Sequence, residues 1–167
     1  MKQDYFFKNA QWVSPIEEKN SFFVLRGKFS ATVGDKATLY AIGLGFFKCY
    51  INGKCINPDT FLPLSSEYEA SCDPAGERLS GHRIYVPRFD ITPFIEDGEN
   101  VIAMICGGGW YTQKERPFGT PKAIYRISVE SPDGVLDYVS DGKCRIGKSS
   151  VDQYDLTKYE CHNYLDW

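Results

Sequence analysis

Long apolar runs are missing from this 167-residue chain, and no stretch approaches the ~20 residues that a membrane-spanning helix requires. Runs of Lys or Arg are missing too. With a formal net charge of −3 and a pI near 5.4, the chain offers no electrostatic footprint for nucleic acid or an anionic membrane, and neither is expected as a partner. Histidine is scarce: His82 and His162 are the two present, and no Gly-x-Ser-x-Gly elbow accompanies them, which argues against an acyl-transfer triad. No Cys-x-x-Cys occurs, and Cys161-His162, adjacent in sequence, cannot both reach one tetrahedral zinc comfortably. Gly107-Gly108-Gly109 is followed by neither Lys-Ser nor Lys-Thr and opens no helix, so it is not a phosphate loop. Met1 to Lys8 lacks the apolar core of a secretory signal, which makes a cytoplasmic location the expectation.

What is present points to β structure. Aromatic residues make up 15% of the chain, with 11 Tyr and 11 Phe, and flat rings pack well on pleated surfaces. At 43% hydrophobic and 25% charged, a chain of this length buries roughly 70% of its unfolded surface as one domain. Residues 1–167 therefore read as a single β-sandwich, with residues 1–20 an N-terminal extension and residues 148–167 a segment leading to domains further along a parent chain. The aromatic ending, Tyr159 to Trp167, looks like a cut inside a longer protein. Trp167, Tyr164 and the Phe6-Phe7 pair are then candidates for an exposed face that another domain covers.

Asn52-Gly53 is the strongest local signal, because both positions of a two-residue hairpin turn need positive φ. Its register pairs Ile51 with Lys54, Tyr50 with Cys55 and Cys49 with Ile56. Side chains alternate faces, so Phe47, Cys49, Ile51 and Ile56 take the core side and Lys48, Tyr50 and Cys55 the other. Cys49 and Cys55 are then not bonded to each other, and the six cysteines are expected as reduced thiols, since a domain of this size needs no staples. Phe22 to Phe29 and Ala37 to Ile42 are strands separated by Gly34-Asp35, and Gly43 and Gly45 bend or thin the chain before Phe46. Pro58 to Gly81 reads as a long surface excursion.

Strand character returns at Arg83-Ile84-Tyr85-Val86, which Pro87 demotes to an edge or a bulge. Asp90 suits an N-cap on one helical turn, with Phe94 and Ile95 tucked inward and Asp97-Gly98 closing it. Val101 to Cys106, apolar throughout, is expected as a central strand covered on both faces. Lys122 to Glu130 alternates, and short strands near Leu136 to Val139 and Cys144 to Ile146 complete the series. Short strands between turns, without helical periodicity, define an all-β chain. The expected architecture is an antiparallel β-sandwich or jelly roll, with one or two short helical turns.

Several of these elements, taken in order, resemble the N-terminal β-sandwich of bacterial α-L-rhamnosidases. They are Ala10-Gln11-Trp12-Val13, the Leu25 to Phe29 strand, Tyr50-Ile51-Asn52-Gly53-Lys54, Tyr85 to Asp90-Ile91-Thr92, Gly98-Glu99-Asn100-Val101-Ile102 and Gly107 to Tyr111. The resemblance implies an antiparallel jelly-roll β-sandwich, galactose-binding-like, that precedes further β domains and an (α/α)6 barrel holding the acidic catalytic residues. That barrel is not in this chain. The implied role is an accessory domain that packs on and supports the barrel of a glycosidase, with the downstream domains of the same polypeptide as partners. Kinship with a rhamnose-binding module is implied as well, in which a calcium ion and a tryptophan hold the sugar. Leu62 to Tyr68 occupies the family's Pro-Gly-x-Thr-x-Tyr position without its glycine, and Ala70 to Gly81 is an insertion.

Trp110 and Tyr111 follow three glycines that let the backbone approach something closely, and an indole beside a loop suits the apolar face of a sugar. The plainer reading is a Trp packed over the sandwich rim. With Tyr68, Arg83 and Phe118, these residues form the candidate substrate-binding set for L-rhamnose or a plant glycan. Asp59 and Glu67 on the long loop are the candidate metal ligands, with calcium the ion that carboxylates and carbonyls would hold; the plainer reading is a solvated acidic loop. No other cofactor is expected. Glycoside hydrolysis needs two carboxylates ~5 to 10 Å apart across a cleft, and Glu17, Glu18, Glu69, Glu96 and Asp97, like Glu67, fall in turns or loops as surface solubilisers. No catalytic residue is assigned. Three functions follow: an accessory sandwich of a glycosidase, a carbohydrate-binding module, or a free-standing small sandwich glycosidase.

Overall fold

The computed structural model describes residues 6–15, 22–58, 84–112 and 118–148, with Trp110 described by its backbone alone. Nine strands occur among these residues: β1 (Phe22–Ala31), β2 (Lys36–Leu44), β3 (Phe46–Ile51), β4 (Lys54–Cys55), β5 (Arg88–Asp90), β6 (Gly98–Gly107), β7 (Lys122–Ser131), β8 (Gly134–Val139) and β9 (Arg145–Lys148). They form a five-stranded sheet in the order β4-β3-β6-β1-β9 and a four-stranded sheet in the order β5-β2-β7-β8. Every strand pairing is antiparallel. Apart from the β3–β4 and β7–β8 hairpins, each connection carries the chain from one sheet to the other, in the manner of a jelly roll. Two 3₁₀ turns, Thr92–Phe94 and Gly109–Thr112, are the helical elements described. No helix among the described residues is long and apolar enough to cross a membrane.

The Asn52-Gly53 hairpin forms in the expected register. Tyr50 pairs with Cys55 and Ile51 with Lys54, the Ile56 N–H donates to the Cys49 carbonyl at 2.9 Å, and Asn52 and Gly53 have φ of 49° and 79°. Phe47, Cys49 and Ile51 point into the core as the alternation requires. There they meet Phe23 and Leu25 of β1, Leu39 of β2, Ile102 and Met104 of β6, and Tyr125 and Ile127 of β7. Tyr125 crosses to the opposite sheet at Gly27, where any Cβ would collide with its hydroxyl. Gly45, at φ 114°, turns the chain from one sheet into the other, pressed against the backbone of Gly107 and Gly108.

Four expectations are corrected. Ile84 to Pro87 is not a strand; the edge strand β5 begins at Arg88, beyond the proline that could not donate to the ladder. Ile91, not Asp90, is the cap of the 3₁₀ turn, and the side chains turned fully inward are Ile91 and Ile95, while Phe94 is half-buried. β6 is central, but Val101 and Ala103 remain half-exposed on its outer side, and both faces are covered only from Met104 onward. Phe6 and Phe7 form no free docking face. Phe7 is buried, Phe6 packs edge-on to Tyr40 at 4.8 Å, and both cover Ile42, Leu44 and Ile124 on the outer side of the four-stranded sheet. Val13 and Ala123 exchange two 2.8 Å hydrogen bonds, which stitch this N-terminal segment to β7.

Cys49, Cys55, Cys106 and Cys144 are free thiols, as expected. Burial pushes the Cys49 and Cys106 thiols far up, which makes them inert packing groups. Cys72 and Cys161, the Pro58 to Gly81 excursion beyond Pro58, and Tyr164 and Trp167 lie outside the described residues.

Candidate functional site

The turn motifs of the sequence come together in one place, where their polar groups bond to one another. Asn52 Nδ2 donates to Asn100 Oδ1 at 2.7 Å and to the Phe94 carbonyl at 3.0 Å, and its Oδ1 accepts the Val101 N–H at 2.9 Å. Asn100 is 0% exposed. Its Oδ1 also accepts the Glu96 N–H at 2.8 Å, and its Nδ2 donates to the carbonyls of Glu96 and Gly98 at 2.8 and 3.0 Å. All four hydrogen-bonding positions of this buried amide are thereby filled. Thr92 ties the same corner to β2, with its Oγ1 accepting the Ala37 N–H at 3.0 Å. Asp90 Oδ1 accepts the Thr92 N–H at 3.0 Å, and Thr92's side chain first, then its backbone, hold the Asp90 carboxyl below its ordinary value. These groups brace the hairpin tip against the 3₁₀ turn, and the Asn100 amide has no capacity left for a ligand.

The glycine rim is also turned inward. A Cβ on Gly107 would come within 2.6 Å of the Phe22 and Phe46 rings, and one on Gly109, at φ 44°, within 2.6 Å of Phe46. The close approach inferred from three successive glycines is thus to the protein's own rings. Trp110 and Tyr111 sit in the 3₁₀ turn that follows, closed by the Tyr111 N–H donating to the Gly108 carbonyl at 2.9 Å. Phe118 returns alongside, its N–H donating to the Tyr111 carbonyl at 2.8 Å, and the two rings stack at 6.1 Å and 29°. Tyr111 also packs on the Ile42, Leu44 and Ile124 cluster. Of the sequence-derived set, then, Tyr111 and Phe118 are brought together as a half-buried aromatic pair. Tyr68, Arg83, Asp59 and Glu67 lie outside the described residues. Among those described, no group of three or more His, Cys, Asp or Glu is placed to hold a metal.

The side chains missed by sequence reasoning line the opposite edge. Between β1, β8 and the turn before β9 lies a cavity of about 380 Å³, bordered by Arg26, Lys143, Arg145, Tyr138, Tyr125 and Cys144 among others. The Tyr125 hydroxyl and the Cys144 thiol meet at 3.4 Å on its floor, and burial first, then the thiol, pushes the phenol up and keeps it neutral. No local motif marks these residues, since they come from strands far apart in sequence.

Two antiparallel sheets, a hairpin corner locked by buried asparagines and an aromatic rim define a jelly-roll-type β-sandwich. Residues 33–164 match the family described as the alpha-L-rhamnosidase N-terminal domain, and the chain belongs to that family. It is 25% identical over 113 residues to an alpha-L-rhamnosidase of Streptomyces avermitilis, an alignment covering 64% of this chain and 10% of that protein. The chain therefore spans about a tenth of that relative's length. The structure of the alpha-L-rhamnosidase from Dictyoglumus thermophilum is similar with a TM-score of 0.74 at 23% identity, over 91% of this chain and 18% of that one. A lectin from Pleurotus ostreatus in complex with GalNAc is similar at 0.55 and 13% identity, over 86% of this chain and 36% of the lectin. These last two likenesses are of fold.

Proposed function

We propose that this chain is an accessory sandwich of an α-L-rhamnosidase-type glycoside hydrolase, one that packs on and supports a catalytic (α/α)6 barrel carried elsewhere in the parent polypeptide. Its own residues cleave no sugar. The observation that carries this reading is the internal commitment of the motif residues: Asn52, Asn100, Thr92 and Asp90 satisfy one another and the backbone. Asp137, which borders the cavity, is likewise clamped by Arg126 through two bonds of 3.0 and 2.9 Å. A carboxylate so bound is an acceptor held in place. Residues 6–13 belong to the same body, because Ser140 donates to the Gln11 carbonyl at 2.8 Å and the Gln11 N–H returns to the Ser140 carbonyl at 2.7 Å.

The test has two arms. The isolated chain should leave an aryl α-L-rhamnoside at the background rate, and turnover above background would overturn the reading. In the parent enzyme, removing this domain should lower the melting temperature and the soluble yield of the barrel, with KM for small rhamnosides little changed. Titration of the chain with L-rhamnose, with and without calcium, should move neither Tyr111 nor Phe118 resonances. A saturable shift there would favour a sugar-binding module instead.

A further inference from the structure

The open edge between the sheets carries charge that the fold leaves unanswered. Among the described residues β9 pairs with β1 from Phe23 to Arg26, and the 380 Å³ cavity lies at the Arg26 end of that pairing. The register sets Arg26 directly opposite Arg145, both exposed. Like charges in that position repel, and among the described residues neither guanidinium has an ion-pair or hydrogen-bond partner. Lys143 adds a third positive charge to the lining. Of the acids in the lining, Asp137 is paired with Arg126, while Asp141 accepts the Lys143 N–H at 2.9 Å and keeps its own charge. Arg26, Arg145 and Lys143 outnumber Asp141, which is unpaired among the described residues, and this leaves a net positive mouth within the 300–1,000 Å³ range common for small-molecule sites.

We propose that this cleft binds a carboxylate-bearing saccharide, a uronate unit, with its carboxylate between Arg26 and Arg145 and an apolar ring face against Tyr138. The planar two-oxygen carboxylate matches the guanidinium fork. A half-buried Tyr138, the neutral Tyr125 hydroxyl and the Cys144 thiol suit the ring and hydroxyls of a sugar better than a compact inorganic anion. This site is separate from the supporting role proposed above, which would survive its failure.

Isothermal titration of the full chain with D-galacturonate and D-glucuronate tests it, with D-galactose, acetate and phosphate alongside. At least one uronate should bind saturably, roughly tenfold or more tightly than galactose or acetate, and more weakly as salt rises. Arg26→Ala and Arg145→Ala should each weaken that binding by about tenfold or more while keeping the wild-type melting temperature, since each removes one of two repelling charges. Arg26→Lys should restore only part, as it keeps the charge and loses the fork. No saturation by either uronate, equal binding of acetate or phosphate, or wild-type affinity in both alanine variants would overturn the proposal.

Discussion

The two flanks of the five-stranded sheet treat their polar groups in opposite ways. On the β3–β6 flank, Asn52 and Asn100 are held by backbone and by each other, and Asn100 is wholly buried. On the β1–β9 flank, Arg26 and Arg145 are paired neighbours, exposed and without an ion-pair partner among the described residues. A buried amide persists only when its donors and acceptors are filled, because each unfilled one costs desolvation free energy. Water solvates an exposed guanidinium, so it can stay unpaired until a ligand arrives. The flank rich in recognisable motifs is therefore the structural one, and the flank without motifs is where binding capacity remains.

Breaking the first flank should have the largest effect. Asn100→Ala strips partners from the Glu96 N–H, from Asn52 Nδ2 and from two carbonyls, and should cost about 2–4 kcal/mol in urea unfolding. A loss under about 1 kcal/mol would mean that water replaces the network and that the contrast between the flanks is not real. Next comes the boundary between core and cleft. Gly27→Ala drives a methyl into the Tyr125 hydroxyl and should cost roughly 1–3 kcal/mol, part of it recovered when Tyr125→Phe removes that oxygen.

Asp90 lies between the extremes, an exposed charge with internal donors. Its folded value lies below the ordinary 3.8, so its contribution is present above pH 3.8 and lost as pH falls below it, toward the folded value. Asp90→Asn should flatten the acid limb of a melting-temperature profile, and an unchanged limb would show that Thr92 does not hold the carboxylate. The smallest effect belongs to the second flank. Arg145→Glu places an opposite charge across from Arg26 and should leave stability within about 0.5 kcal/mol of the wild type, or slightly above it. A marked destabilisation would reveal a structural role for Arg145 and bring the two flanks closer together.

Much of the fold was legible because the turns constrain it locally. Asn52-Gly53 admits one hairpin geometry, and once that is fixed, alternation alone assigns Phe47, Cys49 and Ile51 to the core. The reading slipped where a local pattern met a tertiary decision. Ile84 to Val86 has strand-forming side chains, yet the pairing with β2 starts only after Pro87. Phe6 and Phe7 read as exposed because their partners Tyr40, Ile42, Leu44 and Ile124 belong to strands much further along the chain. The glycines of the rim were rightly read as permitting close approach, but only the structure shows that Phe22 and Phe46 make it.

By itself the sequence determined the β class and the hairpin register, because turn chemistry and two-residue periodicity act between neighbours, and the order of its motifs carried the resemblance to the family. Tertiary structure alone decided that the motif asparagines bond inward, that Tyr111 and Phe118 share a rim, and that Arg26 and Arg145 sit side by side on paired strands at the border of a cleft. Those outcomes depend on which distant strands become adjacent, and that is settled by how two whole sheets bury their apolar faces against each other, a cooperative property that no short stretch of residues carries.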